Sequence, residues 1–128
     1  MHVKNVLTAN TIWVALIALV SIIAPTFLIE REGVEVTDLA INLTRMVGAA
    51  SVGYGVTSWL MRSAPASVAR RAFLIGGGVG YFVVAAVFVF NMFTSDLGNT
   101  MTWVYIVISA LFGLDFIYFG MNEPAGKQ

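Results

Sequence analysis

Two ionisable side chains, Arg45 and Asp115, lie deep inside apolar stretches of this sequence. A charge held in hydrocarbon is costly and is kept where it pairs, lines a polar cavity or serves an ion path, so both are candidate site residues in need of partners. At roughly 1.5 Å of rise per helical residue, Arg45 falls about 9 Å below the start of its helix and Asp115 about 20 Å below the same face. Those depths argue against direct pairing. Arg45 is placed to meet Asn42 on its own helix, Asn91 on the next, or, by snorkelling, the acidic connection before it. Asp115 lies near the depth of Tyr54, with Tyr81 closer to the midplane, and Arg70 or Arg71 can reach down towards it. Asp115, Tyr54, Tyr81, Arg45 and Asn91 are thus the candidate ligand-binding set. They form a small polar cavity on the functional reading and a clamp fixing helix register on the structural one. A single carboxylate without a second titratable relay gives little support to proton coupling.

Other chemistries lack their residues. There is no cysteine, which removes disulfides and thiolate chemistry, and the one histidine, His2, lies outside the apolar stretches, against a histidine-ligated haem or chlorophyll. No metal site is expected, nor any cofactor. A Ser, His and Asp set and a carboxylate pair at glycosidase spacing are both missing from the apolar region, so the expectation is a non-enzyme. Gly76, Gly77, Gly78 and Gly80 superficially suggest a phosphate-binding loop, but that motif needs a strand before it, and these glycines interrupt one apolar run. Asn42, Leu43 and Thr44 match a glycosylation sequon inside the first turns of a helix, where the match is accidental. Formal charge is balanced at seven basic and seven acidic residues, with the basic ones scattered, against nucleic acid as a partner.

The elements that must hold these residues follow from composition. The 128 residues are 59% hydrophobic and 11% charged, with a mean hydropathy of +0.86, too apolar for an ordinary water-soluble fold. Within lipid every backbone polar group must be satisfied inside the spanning element, which leaves helices or a closed barrel. The long unbroken apolar runs favour helices. The sequence predicts an all-α, integral membrane bundle of four transmembrane helices in one domain over residues 1–128. The helices fall at about 12–29, 39–61, 68–93 and 101–120. Residues 5–11 extend the first helix into the headgroup layer, with Trp13 near the interface, and Pro25 kinks its last turns. The alternative of a cleaved signal peptide is disfavoured by the length of the run and by Pro25 directly after Ala24. Pro65 breaks the second connection and Ser67 is available to cap the third helix. A polar turn with Asp96, Gly98 and Asn99 precedes the fourth, and residues 121–128 form a loose tail.

Orientation follows from the basic residues, which cytoplasmic segments retain. Lys4, Arg62, Arg70, Arg71 and Lys127 share one side if there are four crossings, and only Arg31 falls on the other. Both termini are therefore expected in the cytoplasm. Because lipid offers apolar helices no hydrophobic reason to associate, close packing is assigned to small residues. These are Gly48, Ser51 and Gly55 on the second helix, Gly76 and Gly80 on the third, and Ser109, Gly113 and Gly120 on the fourth. Asp115 falls nearly opposite that last stripe, which places the fourth helix centrally or against another subunit.

The run Arg45, Met46, Val47, Gly48, Ala49, followed by Gly53, Tyr54, Gly55, Trp59 and Arg62, then Arg70 and Arg71 after Pro65, resembles small bacterial four-helix membrane proteins of the DUF4345-like and DoxX-like kind. The resemblance loosely covers all four helices. It implies the same bundle in a bacterial inner membrane and no particular activity.

Two functions are consistent with these residues. The first is a non-catalytic scaffold or accessory subunit of a homo- or hetero-oligomeric membrane complex, in contact with membrane lipid, since the polar segments are too short to act alone. The second is a transporter or binding protein for a small lipophilic or organic molecule, which requires a pocket near Tyr54.

Overall fold

The computed structural model describes residues 2–95 and 99–124, and all regular structure in them is helical. Five helices follow in order: α1 (Val3–Ile23), α2 (Pro25–Arg31), α3 (Asp38–Met61), α4 (Val68–Thr94) and α5 (Thr100–Asn122). Asp96, Gly98, Lys127 and half of the expected tail lie outside the described residues.

The expected first helix is two helices, and it starts nine residues earlier than its apolar run. Thr8 and Thr11 donate to the carbonyls of Lys4 and Leu7 at 2.8 Å, so their hydroxyls are satisfied within α1. The break falls at Ala24 (φ −131°, ψ 57°), because Pro25 has no N–H to continue the ladder and is well suited to the first position of a new helix. The other boundaries follow their caps. Thr37 accepts from Ala40 N at 3.1 Å, Ser67 from Arg70 N at 3.2 Å, and Asn99 and Thr102 form a reciprocal capping box at the start of α5.

Three helices, α1, α4 and α5, are long and apolar enough to cross a membrane, which is compatible with an integral membrane protein. Four were expected. At 24 residues α3 has the length, but Arg45 and its many Gly, Ser and Thr residues keep it outside that apolar set.

α1 packs antiparallel along α3, and α4 along α5, giving two hairpins; α1 and α5 also touch, whereas α3 and α4 diverge and meet chiefly where Tyr54 stacks on Phe73. Glycines set the close approaches within each hairpin. A Cβ at Gly48 would lie 2.7 Å from Ser21 Cβ, and one at Gly55 meets Val14 at 3.5 Å. Between α4 and α5, a Cβ at Gly78 would lie 2.8 Å from Ile117, one at Gly113 3.2 Å from Phe82, and one at Gly120 2.8 Å from Ile75. Gly76 and Gly80 differ from expectation. Nothing lies within 4 Å of a Cβ at either, because the face of α4 that meets its neighbours carries Gly77 and Gly78 instead.

The hairpins are joined most tightly near the N-terminus of α1. Val6, Leu7, Leu74 and Phe116 are buried there, with Tyr54, Phe73, Tyr81 and Phe112 packed around them. At the opposite end, Asn99 Nδ2 donates to the Arg31 carbonyl at 2.7 Å and ties α5 to the end of α2.

Candidate functional site

Because α3 and α4 diverge while α1 and α5 stay in contact, a groove of about 950 Å³ runs between the two hairpins. That volume lies within the range of small-molecule sites, roughly 300–1,000 Å³. Trp13 and Ile17 of α1, with Tyr105 and Ser109 of α5, line its floor. Val47, Ser51 and Tyr54 of α3 face Gly80, Val84 and Phe88 of α4 as its walls. The open spaces at Gly76 and Gly80 are part of it, so these glycines widen the groove instead of tightening the bundle.

One end is closed by aromatic packing. Tyr54 stacks on Phe73 with ring centroids 5.4 Å apart and meets Tyr81 edge-on at 6.3 Å. Beneath this cluster runs a buried polar chain. The Tyr81 hydroxyl donates to Asn10 Oδ1, Asn10 Nδ2 donates to Ser58 Oγ at 2.9 Å, and the Ser58 hydroxyl donates to the Leu7 carbonyl at 3.2 Å. Asn10 and Ser58 are wholly buried, where an unpaired amide or hydroxyl would be costly. The Tyr54 hydroxyl is buried beside the Asn10 and Tyr81 side chains.

The other end is polar. Gly33, at φ +73°, ends α2 in a Schellman turn, with Gly33 N donating to the Glu30 carbonyl and Val34 N to the Ile29 carbonyl, both at 3.1 Å. That turn places Glu32 at the groove with Leu28, Ile29 and Val34. Burial pushes the Glu32 carboxyl above the ordinary glutamate range, since its charged form is partly desolvated. Thr44, Asn91 and Tyr105 line the groove on the neighbouring helices, and Tyr105 packs between Trp13 (6.4 Å) and Phe88 (5.3 Å).

Of the sequence candidates, Tyr54, Tyr81 and Asn91 line this groove and Arg45 and Asp115 do not. Arg45 is exposed on the outside of α3 and forms no ion pair or hydrogen bond among the described residues. Asp115 is half-buried on α5 and does not receive the expected phenol hydrogen bonds, because Tyr81 donates to Asn10. Nor does Arg70 reach it. Arg70 pairs with Glu123 at the end of α5, donating from Nε to Oε1 at 2.6 Å, and also donates to the Ala64 carbonyl. Of the packing set, Ser51 returns its hydroxyl to the Val47 carbonyl at 2.8 Å, and it and the buried Ser109 line the groove.

Sequence reasoning missed Asn10, Glu32, Tyr105 and Glu123. A signal existed for Asn10, which falls three and four residues after Leu7 and Val6 on the buried face of α1. Glu32 carried a weaker one, the glycine directly after it at a helix end.

No curated protein and no solved structure matches this chain. A family match covers nearly all of it: over residues 1–120 the chain belongs to the family described as a domain of unknown function, DUF8292.

Proposed function

We propose that this chain is a non-catalytic, four-span membrane protein that binds a small lipophilic molecule in the groove between its hairpins. The observation that carries the reading is the groove itself: about 950 Å³, walled mainly by apolar and aromatic side chains, with few polar groups at its ends. α3 acts as the fourth span. Its 24 residues extend about 36 Å, enough for a hydrocarbon core of about 30 Å, and its small residues serve packing against α1. Lys4, Arg62, Arg70 and Arg71 gather at one end against Arg31 at the other, which supports cytoplasmic termini in a bacterial inner membrane. The likeness in helix spacing to DUF4345-like and DoxX-like proteins agrees with such a bundle.

The test fills the groove. A Cβ at Gly80 meets nothing within 4 Å and the position lines the groove, so Gly80→Phe is expected to keep the wild-type Tm and to lose a molecule that co-purifies with the wild-type chain, as read by native mass spectrometry. Equal ligand retention in both would overturn the reading.

Asp115 supports a second reading. A half-buried carboxylate with no partner among the described residues suits a contact with another subunit that supplies a donor, as an accessory subunit of a membrane complex requires. Recovery of a lone monomer from native membranes in mild detergent would remove it.

A further inference from the structure

The polar groups of the groove are unevenly used along its length. Towards the N-terminus of α1 they are occupied by the protein itself: Tyr81 donates to the buried Asn10, Tyr54 lies beside both, and Ser51 bonds its own helix. Towards α2, Thr102 is held in the capping box of α5, but four others are not so occupied. The side chains of Glu32, Thr44, Asn91 and Tyr105 form no hydrogen bond or ion pair among the described residues, and all four line the groove. Glu32 is the sole carboxylate or cationic side chain among the lining residues. The surrounding connection adds Glu30, Glu35 and Asp38, all exposed, against one arginine, Arg31, which is exposed and lies over the Phe27 ring at 5.2 Å.

We propose, resting on the groove-binding reading above, that the ligand is a long-chain amine. Its ammonium group sits against Glu32 among the Asn91, Thr44 and Tyr105 side chains, and its alkyl chain lies along the floor towards Tyr54 and Phe73. Length permits this. From Asn91 to Phe73 along α4 is about 27 Å at the helical rise, more than the roughly 15 Å of one bilayer leaflet's hydrocarbon. Charge selects the head. An ammonium beside Glu32 forms a charge-assisted hydrogen bond in a partly desolvated site, and offsets the cost of holding that carboxylate there. An anionic head is repelled by Glu32 and finds no lining cation, with only the neutral donors of Asn91, Thr44 and Tyr105 to receive it. A neutral hydroxyl head fits the space without the ionic contribution.

Tryptophan placement provides the test. Trp13 lines the groove, whereas Trp103 is exposed on α5 outside it. The W59F/W103F chain therefore reports from the groove, and the W13F/W59F chain from the surrounding bilayer. Each is placed in phosphatidylcholine nanodiscs and titrated with chain-brominated stearylamine, stearyl alcohol or stearic acid. The expected result is that stearylamine quenches Trp13 before Trp103, at a concentration roughly tenfold lower than stearic acid requires. Glu32→Gln removes that preference and leaves quenching by the alcohol unchanged, while Glu32→Asp retains it. If all three probes quench Trp13 alike but ahead of Trp103, or the amine preference survives Glu32→Gln, the head-group assignment falls and the groove reading stands. If no probe quenches Trp13 ahead of Trp103, both fall.

Discussion

The Tyr81 hydroxyl on α4 donates a hydrogen bond to Asn10 Oδ1 on α1, so one buried amide joins the two hairpins and, through Ser58, the two helices of the first. Asn10→Ala leaves the Tyr81 hydroxyl without its acceptor and Ser58 with the Leu7 carbonyl alone, and is expected to cost about 1–3 kcal/mol, the penalty for stranding buried polar groups. Tyr81→Phe removes one donor and costs less, about 0.6 kcal/mol by the standard of interhelical bonds in membranes. Unfolding in mixed micelles measures both, and the double variant shows the coupling. A smaller loss for Asn10→Ala than for Tyr81→Phe would contradict this arrangement.

The glycines of α4 are not equivalent. Gly78→Val drives a side chain into Ile117 and the Gly113 carbonyl, an overpacking expected to cost roughly 1–3 kcal/mol or more. A Cβ at Gly80 meets nothing within 4 Å, so Gly80→Val is expected to leave the Tm within a few degrees of wild type. Thermal unfolding of the pair side by side decides the matter, and the reverse order would mean that α4 presents a different face to α5.

Glu32 makes stability depend on pH. Its folded-state pKa is raised by burial, so the folded chain holds the proton more tightly than the unfolded chain does. The resulting contribution is fully present below the ordinary glutamate pKa and is lost as pH rises through the raised folded value. The difference in Tm between wild type and Glu32→Gln, followed from mildly acidic to neutral pH, isolates this group from the other acids of the connection. A flat difference curve would show that the carboxylate is not desolvated.

Arg70 and Glu123 pair where the start of α4 meets the end of α5, with only 12% and 4% of their side chains exposed. Glu123→Ala strands a buried guanidinium and is expected to cost about 3 kcal/mol, whereas Arg70→Met with Glu123→Leu, which removes both charges, recovers much of it. Chemical unfolding of the two variants checks the order.

Much of the helical layout was legible because it rests on local chemistry: Ser67 caps, Pro25 interrupts and the apolar runs give the rest. Residues 5–11 read as an extension of the first helix, and α1 does run through them; the buried contacts of that stretch, Asn10 bonding across to Ser58 above all, were not legible from its mild polarity. The site was half legible. Tyr54, Tyr81 and Asn91 stand out as polar residues in apolar runs, but which helical face meets which neighbour is a tertiary fact. Arg45 and Asp115 therefore drew attention from faces outside the groove. The cluster Gly76, Gly77, Gly78 and Gly80 shows the same limit. Four glycines in five positions cover more than one side of α4, and only the packing of Phe116 and Ile117 selects the middle two for contact.

The divergence of α3 from α4 has a consequence for how any occupant arrives. On the four-span reading, a molecule entering between these walls would come sideways from the bilayer, having never left hydrocarbon, so its alkyl chain would gain little by the transfer. Occupancy would then follow the mole fraction of the molecule in the leaflet instead of its concentration in water. Discrimination among molecules with equal chains would fall almost wholly to the few polar atoms between Glu32 and Asn91.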